Sequence, residues 1–275
     1  GSLKMEFNKT NQSNIEIYID EIEPERECNF IVLGALFIQK NKKDNLVNTL
    51  IKSRTPDERE LDLMNNFEVH FTEIREGRTG HVRKTIIKRW LDIFINNQNI
   101  FVNILYVDLN KLDREFFGNE NNKANIYNKF FRTLLDYGLK CFFNNYGKVF
   151  IENIFYDKKG ELERHYFFNN KNLDRLEYKS NGKTSFVGEI IFVESDHKKE
   201  KDYPKESQII QFIDLIIGSV RHNVFYVAKD RLKTGVSLII RKRLTKIKEE
   251  YWSDKNFKVG FFPKNNIKSS TDLNQ

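Results

Sequence analysis

Between residues 15 and 20, Ile15, Ile17 and Ile19 interleave with Glu16, Tyr18 and Asp20. This period of two marks a strand with two unlike faces. Asp20 and Glu21 arrive where the strand gives way to the turn-like EIEPERE. Residues 29–39 (NFIVLGALFIQ) are apolar almost throughout, and the two segments predict a hairpin in the middle of a sheet. Residues 43–54 predict a short surface helix. Residues 67–74 predict an extended segment with Glu68, His70 and Thr72 on one side, and 78–96 an amphipathic helix with a basic start. A strand at 100–109, a helix at 125–144, a strand at 149–157 ending on an acid, a helix at 161–175 and a strand at 189–194 follow. Strands separated by helices of this length predict an α/β sheet covered on both faces.

The segment 206–222 (ESQIIQFIDLIIGSVRH) closes the pattern. Placed on a helix, it is apolar around most of its circumference, and Ser207, Gln211, Asp214, Gly218, Arg221 and His222 share one stripe roughly 100° wide. An acid in the middle of such a stripe needs a destination, whether water, Arg221 or a metal ion. The plainest expectation is a core helix whose narrow face meets solvent.

With 275 residues the chain can bury a substantial core, as one large domain or two smaller ones. Hydrophobic residues at 39%, including 24 Phe, exclude a disordered chain. A net charge of +7 permits a polyanionic partner without requiring one, since Lys- and Asn-rich chains can be basic through codon bias. Cys28 and Cys141 lack the spacing of a zinc site and fit a reducing compartment. No apolar run reaches about 18 residues, so no membrane span is expected and the chain is placed in the cytoplasm. GSLKM reads as a cloning remnant ahead of Met5.

IYIDE followed by an apolar strand, then EVHFTE, then VESDHKKE leading into QFIDLIIGSVR, resembles the bacterial family catalogued as domain of unknown function 3800. That family shows Y-x-D-E-S-G at the first strand, an acidic E-x-H/K segment, and Q-x-x-D-L-x-x-G-x-x-R on the closing helix. Gln211, Asp214, Leu215, Gly218 and Arg221 meet the last motif, while Ile22 and Glu23 stand where the family commonly has Ser-Gly. The resemblance runs from about residue 15 to about residue 222. It implies an α/β, RNase H-like mixed sheet flanked by helices, with carboxylates gathered around divalent metal. Carried over, Asp20 and Asp214 are the first-strand and closing-helix carboxylates, Asp157 the acid after the later strand, and Glu68 the acid of the E-x-H/K segment. Glu21, His70 and Gln211 would stand behind them.

Hydrolysing a phosphodiester with two Mg²⁺ or Mn²⁺ ions takes three or four carboxylates, because hard cations prefer oxygen and the ions lie ~3.5–4 Å apart. Each candidate also has a plainer reading. Asp20 and Asp157 could be turn acids. Asp214 could pair with Arg221 or face water, and Glu68 and His70 could line the outer side of an edge strand. Glu152 is the substitute for Asp157, and Asp196 and His197 read as solvated. Two basic clusters flank these acids: Arg75 to Arg89, and Arg221 to Lys248 with Arg241, Lys242, Arg243 and Lys246. Tyr226 and Tyr251 accompany the second. Such runs can track a phosphate backbone, or can be solvated helix faces.

The sequence thus predicts a leader at 1–14, an RNase H-like domain at 15–222, a basic extension packed on it at 223–262 and a polar tail at 263–275. The expected function is divalent-metal-dependent nuclease activity on DNA or RNA. The alternatives are a catalytically silent nucleic-acid-binding subunit of a larger mobile-element or phage-defence assembly, with a protein partner or a second copy, and a hydrolase of a small phosphorylated molecule.

Overall fold

The alternating segment is one long strand, β1 (Gln12–Ile22), and it includes residues 12–14 of the expected leader. It pairs antiparallel with β2 (Phe30–Gln39), which sets Asp20 opposite Gly34. The description comes from a computed structural model and covers residues 11–26, 28–54, 67–118, 122–158, 170–225, 230–244, 252–253 and 255–263. β2 pairs antiparallel with β3 (Ile100–Asp108). On the other side of β1, β4 (Lys148–Asp157) and then β5 (Thr184–Val193) add in parallel. β7 (Phe257–Phe262) lies parallel to β3, and β6 (Trp252–Ser253) closes that edge. The seven-stranded order is β5-β4-β1-β2-β3-β7-β6. Its first five strands, with β2 alone running against its neighbours, form the expected RNase H-like mixed sheet.

The period-two pattern divides the core into two layers. Tyr18, Val32, Leu36, Ile104 and Phe155 face α1 (Lys40–Lys52), α2 (His81–Asn96), α5 (Pro204–Phe225) and α6 (Arg231–Leu244). Ile15, Ile17, Ile19, Leu33 and Phe37 face α3 (Asn122–Phe142) and α4 (Asn170–Lys179). The expected helix at 161–175 lies outside the described residues up to residue 169. The extension after residue 222 does more than pack on the domain, because its β7 hydrogen-bonds into the sheet. No helix among the described residues is long and apolar enough to cross a membrane.

α5 is the helix that positions the site. Ile209, Ile210, Phe212, Ile213, Leu215, Ile216, Ile217 and Val220 are all buried. At roughly 1.5–3 kcal/mol per fully buried apolar side chain, this burial holds the helix on the sheet even though polar residues are buried with it. Gly34 sets the approach, since a Cβ there would lie 2.3 Å from Ile217 Cγ2. The expected solvated face of α5 is not found. Ser207, Gln211 and His222 are buried, and the stripe is roofed by the segments around residues 67–74 and 194–200.

Candidate active site

The expected extended segment at 67–74 does not join the sheet. Residues 67–70 run without a ladder partner and then tighten into a 3-10 turn at Phe71–Glu73. Side chains of α5 take its backbone donors. The Val69 N–H donates to Gln211 Oε1 at 2.8 Å, and the Phe71 N–H to Asp214 Oδ2 at 2.8 Å. Gln211 and Asp214, three apart on the helix, thus act as a short acceptor rail for alternate N–H groups of an extended chain. Phe71 then covers Gly218 so closely that a Cβ there would lie 2.3 Å from its Cγ. The spacing of the closing-helix motif is therefore, in part, a docking strip.

Gln211 uses its full hydrogen-bonding capacity. Its Oε1 also accepts from Arg54 Nη2 at 2.7 Å, and its Nε2 donates to the Ser195 carbonyl at 2.6 Å and meets His197 Nδ1 at 3.0 Å. With an amide N–H₂ as donor, Nδ1 of His197 is the acceptor and the ring proton sits on Nε2. His197 is fully buried, which corrects its reading as a solvated loop residue. Arg54 is buried as well. It donates from Nε to Gln208 Oε1 at 2.8 Å and from Nη1 to the Phe67 carbonyl at 2.7 Å, with its guanidinium 4.7 Å from the Trp90 ring centre. Burial pulls its pKa down to about 9, so it stays charged at neutral pH. Nothing local to Arg54 marks it for this role, because its main partners, Gln208 and Gln211, lie far away in the chain.

The carboxylates come from separate elements. Asp214 Oδ2 is shared by the Phe71 N–H and by His70 Nδ1 at 2.7 Å. Asp20 is 2% exposed, with Oδ1 accepting from the Glu21 N–H at 2.7 Å. Glu68 Oε1 accepts from Ser195 Oγ at 2.6 Å. Burial raises its pKa, and the Ser195 hydrogen bond and the charge of His70 oppose that rise. For His70, burial works against the charged form, but the Asp214 hydrogen bond and the charges of Asp214, Asp20 and Glu68 outweigh it and carry the imidazole up to about 9. Three carboxylates, delivered by β1, the 67–74 segment and α5, therefore act on one imidazolium.

Asp157 lies beside Asp20 by register. Tyr18 pairs with Phe155 and Ile19 with Tyr156, so Asp20 and Asp157 follow side by side on the face of the stacked Tyr18 and Phe155 rings. Glu152 is not a substitute for it, being paired with Lys40 at 3.0 Å and bonded to Asn14 at 2.6 Å. Glu21 turns to the opposite face, where the Tyr156 hydroxyl donates to it. Arg221 pairs with Glu25 at 3.1 Å and leaves Asp214 to His70. Arg241 sits on α6 about 12 Å along the helix from Lys233, at 1.5 Å per residue. Lys242 and Arg243 belong to the same last turns, and Lys246, Tyr226 and Tyr251 lie outside the described residues.

A set made of carboxylate oxygens suits Mg²⁺ or Mn²⁺ in kind. Among the described residues, however, no group of three or more His, Cys, Asp or Glu side chains is placed to hold a metal ion, with Asp214 turned onto His70 and Glu68 onto Ser195.

No family model matches the chain, and no curated protein matches it. Among solved structures, a chain in the structure of the PCNA:RNase HII complex from Archaeoglobus fulgidus is similar at 11% identity and a TM-score of 0.35, over 84% of this chain and 89% of that one. That likeness adds nothing to the strand order and register, on which the fold assignment rests.

Proposed function

We propose that the protein is a divalent-metal-dependent nuclease, related to the domain of unknown function 3800 family, that hydrolyses phosphodiester bonds of DNA or RNA. The observation that supports this most is the register of β1 with β4, which sets Asp20 and Asp157 side by side at the strand ends, with α5, the helix that carries Asp214, packed on that face of the sheet. Asp20, Asp157, Asp214 and Glu68 would hold Mg²⁺ or Mn²⁺ once Asp214 turns from His70 and Glu68 from Ser195. When bound, such an ion supplies Lewis acidity toward a phosphoryl oxygen and lowers the pKa of water. Asp20 is fixed by a backbone N–H and by burial, so its carboxylate is oriented in advance. His70 holds a proton at Nδ1 against Asp214, and its partly open ring would offer positive charge to a phosphate oxygen. The location proposed is the cytoplasm, and a protein partner or second copy is compatible with the same reading.

A second reading, a catalytically silent nucleic-acid-binding subunit, has its own support. Asp214 is already neutralised by His70 and a backbone N–H, as in a docking strip with no metal to serve.

The decisive experiment incubates the purified protein with labelled single-stranded and duplex DNA, RNA and tRNA in Mg²⁺, Mn²⁺ or EDTA. Cleavage should require metal and should vanish in both Asp20→Asn and Asp214→Asn, which remove charge without opening a cavity. Mn²⁺ should also raise the melting temperature of the wild type but of neither variant. Activity surviving both substitutions would place the chemistry elsewhere. Binding without cleavage would favour the silent subunit.

A further inference from the structure

The ends of the two basic clusters meet beside the acids. Arg75 follows the 3-10 turn, Arg221 lies near the end of α5, and Lys233 is in the first turn of α6. The backbones beneath them are fixed without help from the cations. Asp230 caps α6 by accepting the Lys233 N–H at 2.9 Å, and its other oxygen accepts the Glu76 N–H at 2.8 Å, which clips the Arg75 loop to the helix. The Arg75 N–H is held by Thr79 Oγ1 at 2.9 Å. His222 Nε2 and Thr234 Oγ1, 3.1 Å apart, and an Asn223 amide donating to the Ser237 carbonyl at 2.8 Å tie α6 to α5.

These ties bring the segments that carry Arg75, Arg221 and Lys233 together. Burial lowers the Lys233 pKa; Asp230 and Glu25 raise it, and the positive charges of Arg75 and Arg221 lower it. Asp230 is occupied by backbone N–H groups, and Glu25 is the ion-pair partner of Arg221. The Lys233 ammonium lies 5.4 Å from the centre of the Phe71 ring and makes one long hydrogen bond, 3.4 Å, to the Thr72 carbonyl. Phe71 is also the residue whose N–H holds Asp214. Phe71 thus touches both groups, with its ring beside Lys233 and its N–H on Asp214.

We propose that Lys233, Arg75 and Arg221 form a subsite for a phosphodiester group of a nucleic-acid strand, next to the carboxylates across Phe71. A compact ammonium and guanidinium forks suit a phosphate's non-bridging oxygens, and an anion there relieves the repulsion among the cations. The choice of ligand rests on the functional reading above, and the subsite adds where the strand is gripped relative to the acids.

The test is fluorescence anisotropy, in EDTA and across a salt series, with end-labelled single-stranded DNA and RNA of one sequence and with inorganic phosphate as competitor. Lys233→Gln and Arg75→Gln should each weaken strand binding roughly five- to ten-fold and lower the slope of log K against log salt by about 0.7. Lys140→Gln, an exposed lysine of α3 on the opposite face of the sheet, should change neither. Displacement by phosphate that is lost in Lys233→Gln would show that the shared phosphate chemistry is what is read, and the two strands would separate DNA from RNA. Unchanged affinity and slope in both variants, an equal loss in Lys140→Gln, or no strand binding by the wild type would each overturn the subsite. Strand binding through these residues without cleavage would uphold the subsite and sink the nuclease reading. Cleavage with unchanged slopes would do the reverse.

Discussion

At Asp214 a single carboxylate oxygen serves a backbone N–H and an imidazole, and this sharing adds a pH dependence to the metal-free protein. His70 is raised from 6.5 to about 9 in the folded chain. A raised pKa means that the stabilisation is fully present below pH 6.5 and is lost as pH climbs through about 9. In EDTA, the melting temperature of the wild type should therefore fall across that window more than that of His70→Gln. Parallel curves would show that His70 carries no extra proton in the fold. Gln211 tests the other half of the stripe. Gln211→Leu leaves a guanidinium nitrogen, the Val69 N–H and the Ser195 carbonyl without their partner in a buried place. At about 1–3 kcal/mol for each buried group left unsatisfied, denaturant titration should show a loss of about 3–5 kcal/mol. A loss below about 1 kcal/mol would mean that other groups replace the amide.

The helix α5 works as an element because glycines stand where neighbours come closest. Gly34 in β2 brings Ile217 onto the sheet across from Asp20, and Gly218, the next residue of the helix, receives Phe71. Neither glycine needs a left-handed backbone; what each supplies is the absence of a Cβ. Gly218→Ala should push Phe71 off its seat and strain the Phe71–Asp214 hydrogen bond, at about 1–3 kcal/mol by denaturant titration, as overpacking does. Unchanged stability would show that the 67–74 segment can shift freely, and its acids would then be poor candidates for a fixed site.

For the molecule as a whole, the chain after α6 finishes the sheet. β7 covers the edge of β3, with Phe257 edge-on to Phe94 at 5.3 Å and Phe261 stacked on Tyr106 at 4.9 Å. Ending the chain after Leu244 would expose a long apolar strand edge, a template for association. The truncated protein should aggregate or lose its cooperative melt. A soluble truncation with a wild-type melt would show that β7 is dispensable.

How much of this was legible in the chain follows the range of each interaction. Period-two alternation marked β1, and a continuous apolar run marked β2, because each side chain's face is decided by its immediate neighbours in sequence. The apolar circumference of α5 was equally plain, and so was the polar stripe that carries Gln211 and Asp214. Neither the roof over that stripe nor the partners of its polar groups could be read, since Arg54, Ser195 and His197 reach Gln211 only when α5 and two loops close on one another. Glu21 and Asp20 are adjacent in sequence, yet pleating sends them to opposite faces, and only pairing in the sheet fixed which face holds the acids. β7 was missed for the same reason, because a short strand is stabilised by the edge it joins and not by its own residues. The sequence by itself determined the elements and their apolar faces, through local periodicity. The tertiary structure decided that Asp214 meets His70 and that Asp20 lies beside Asp157, because these meetings depend on register and on helix docking, which no local pattern encodes.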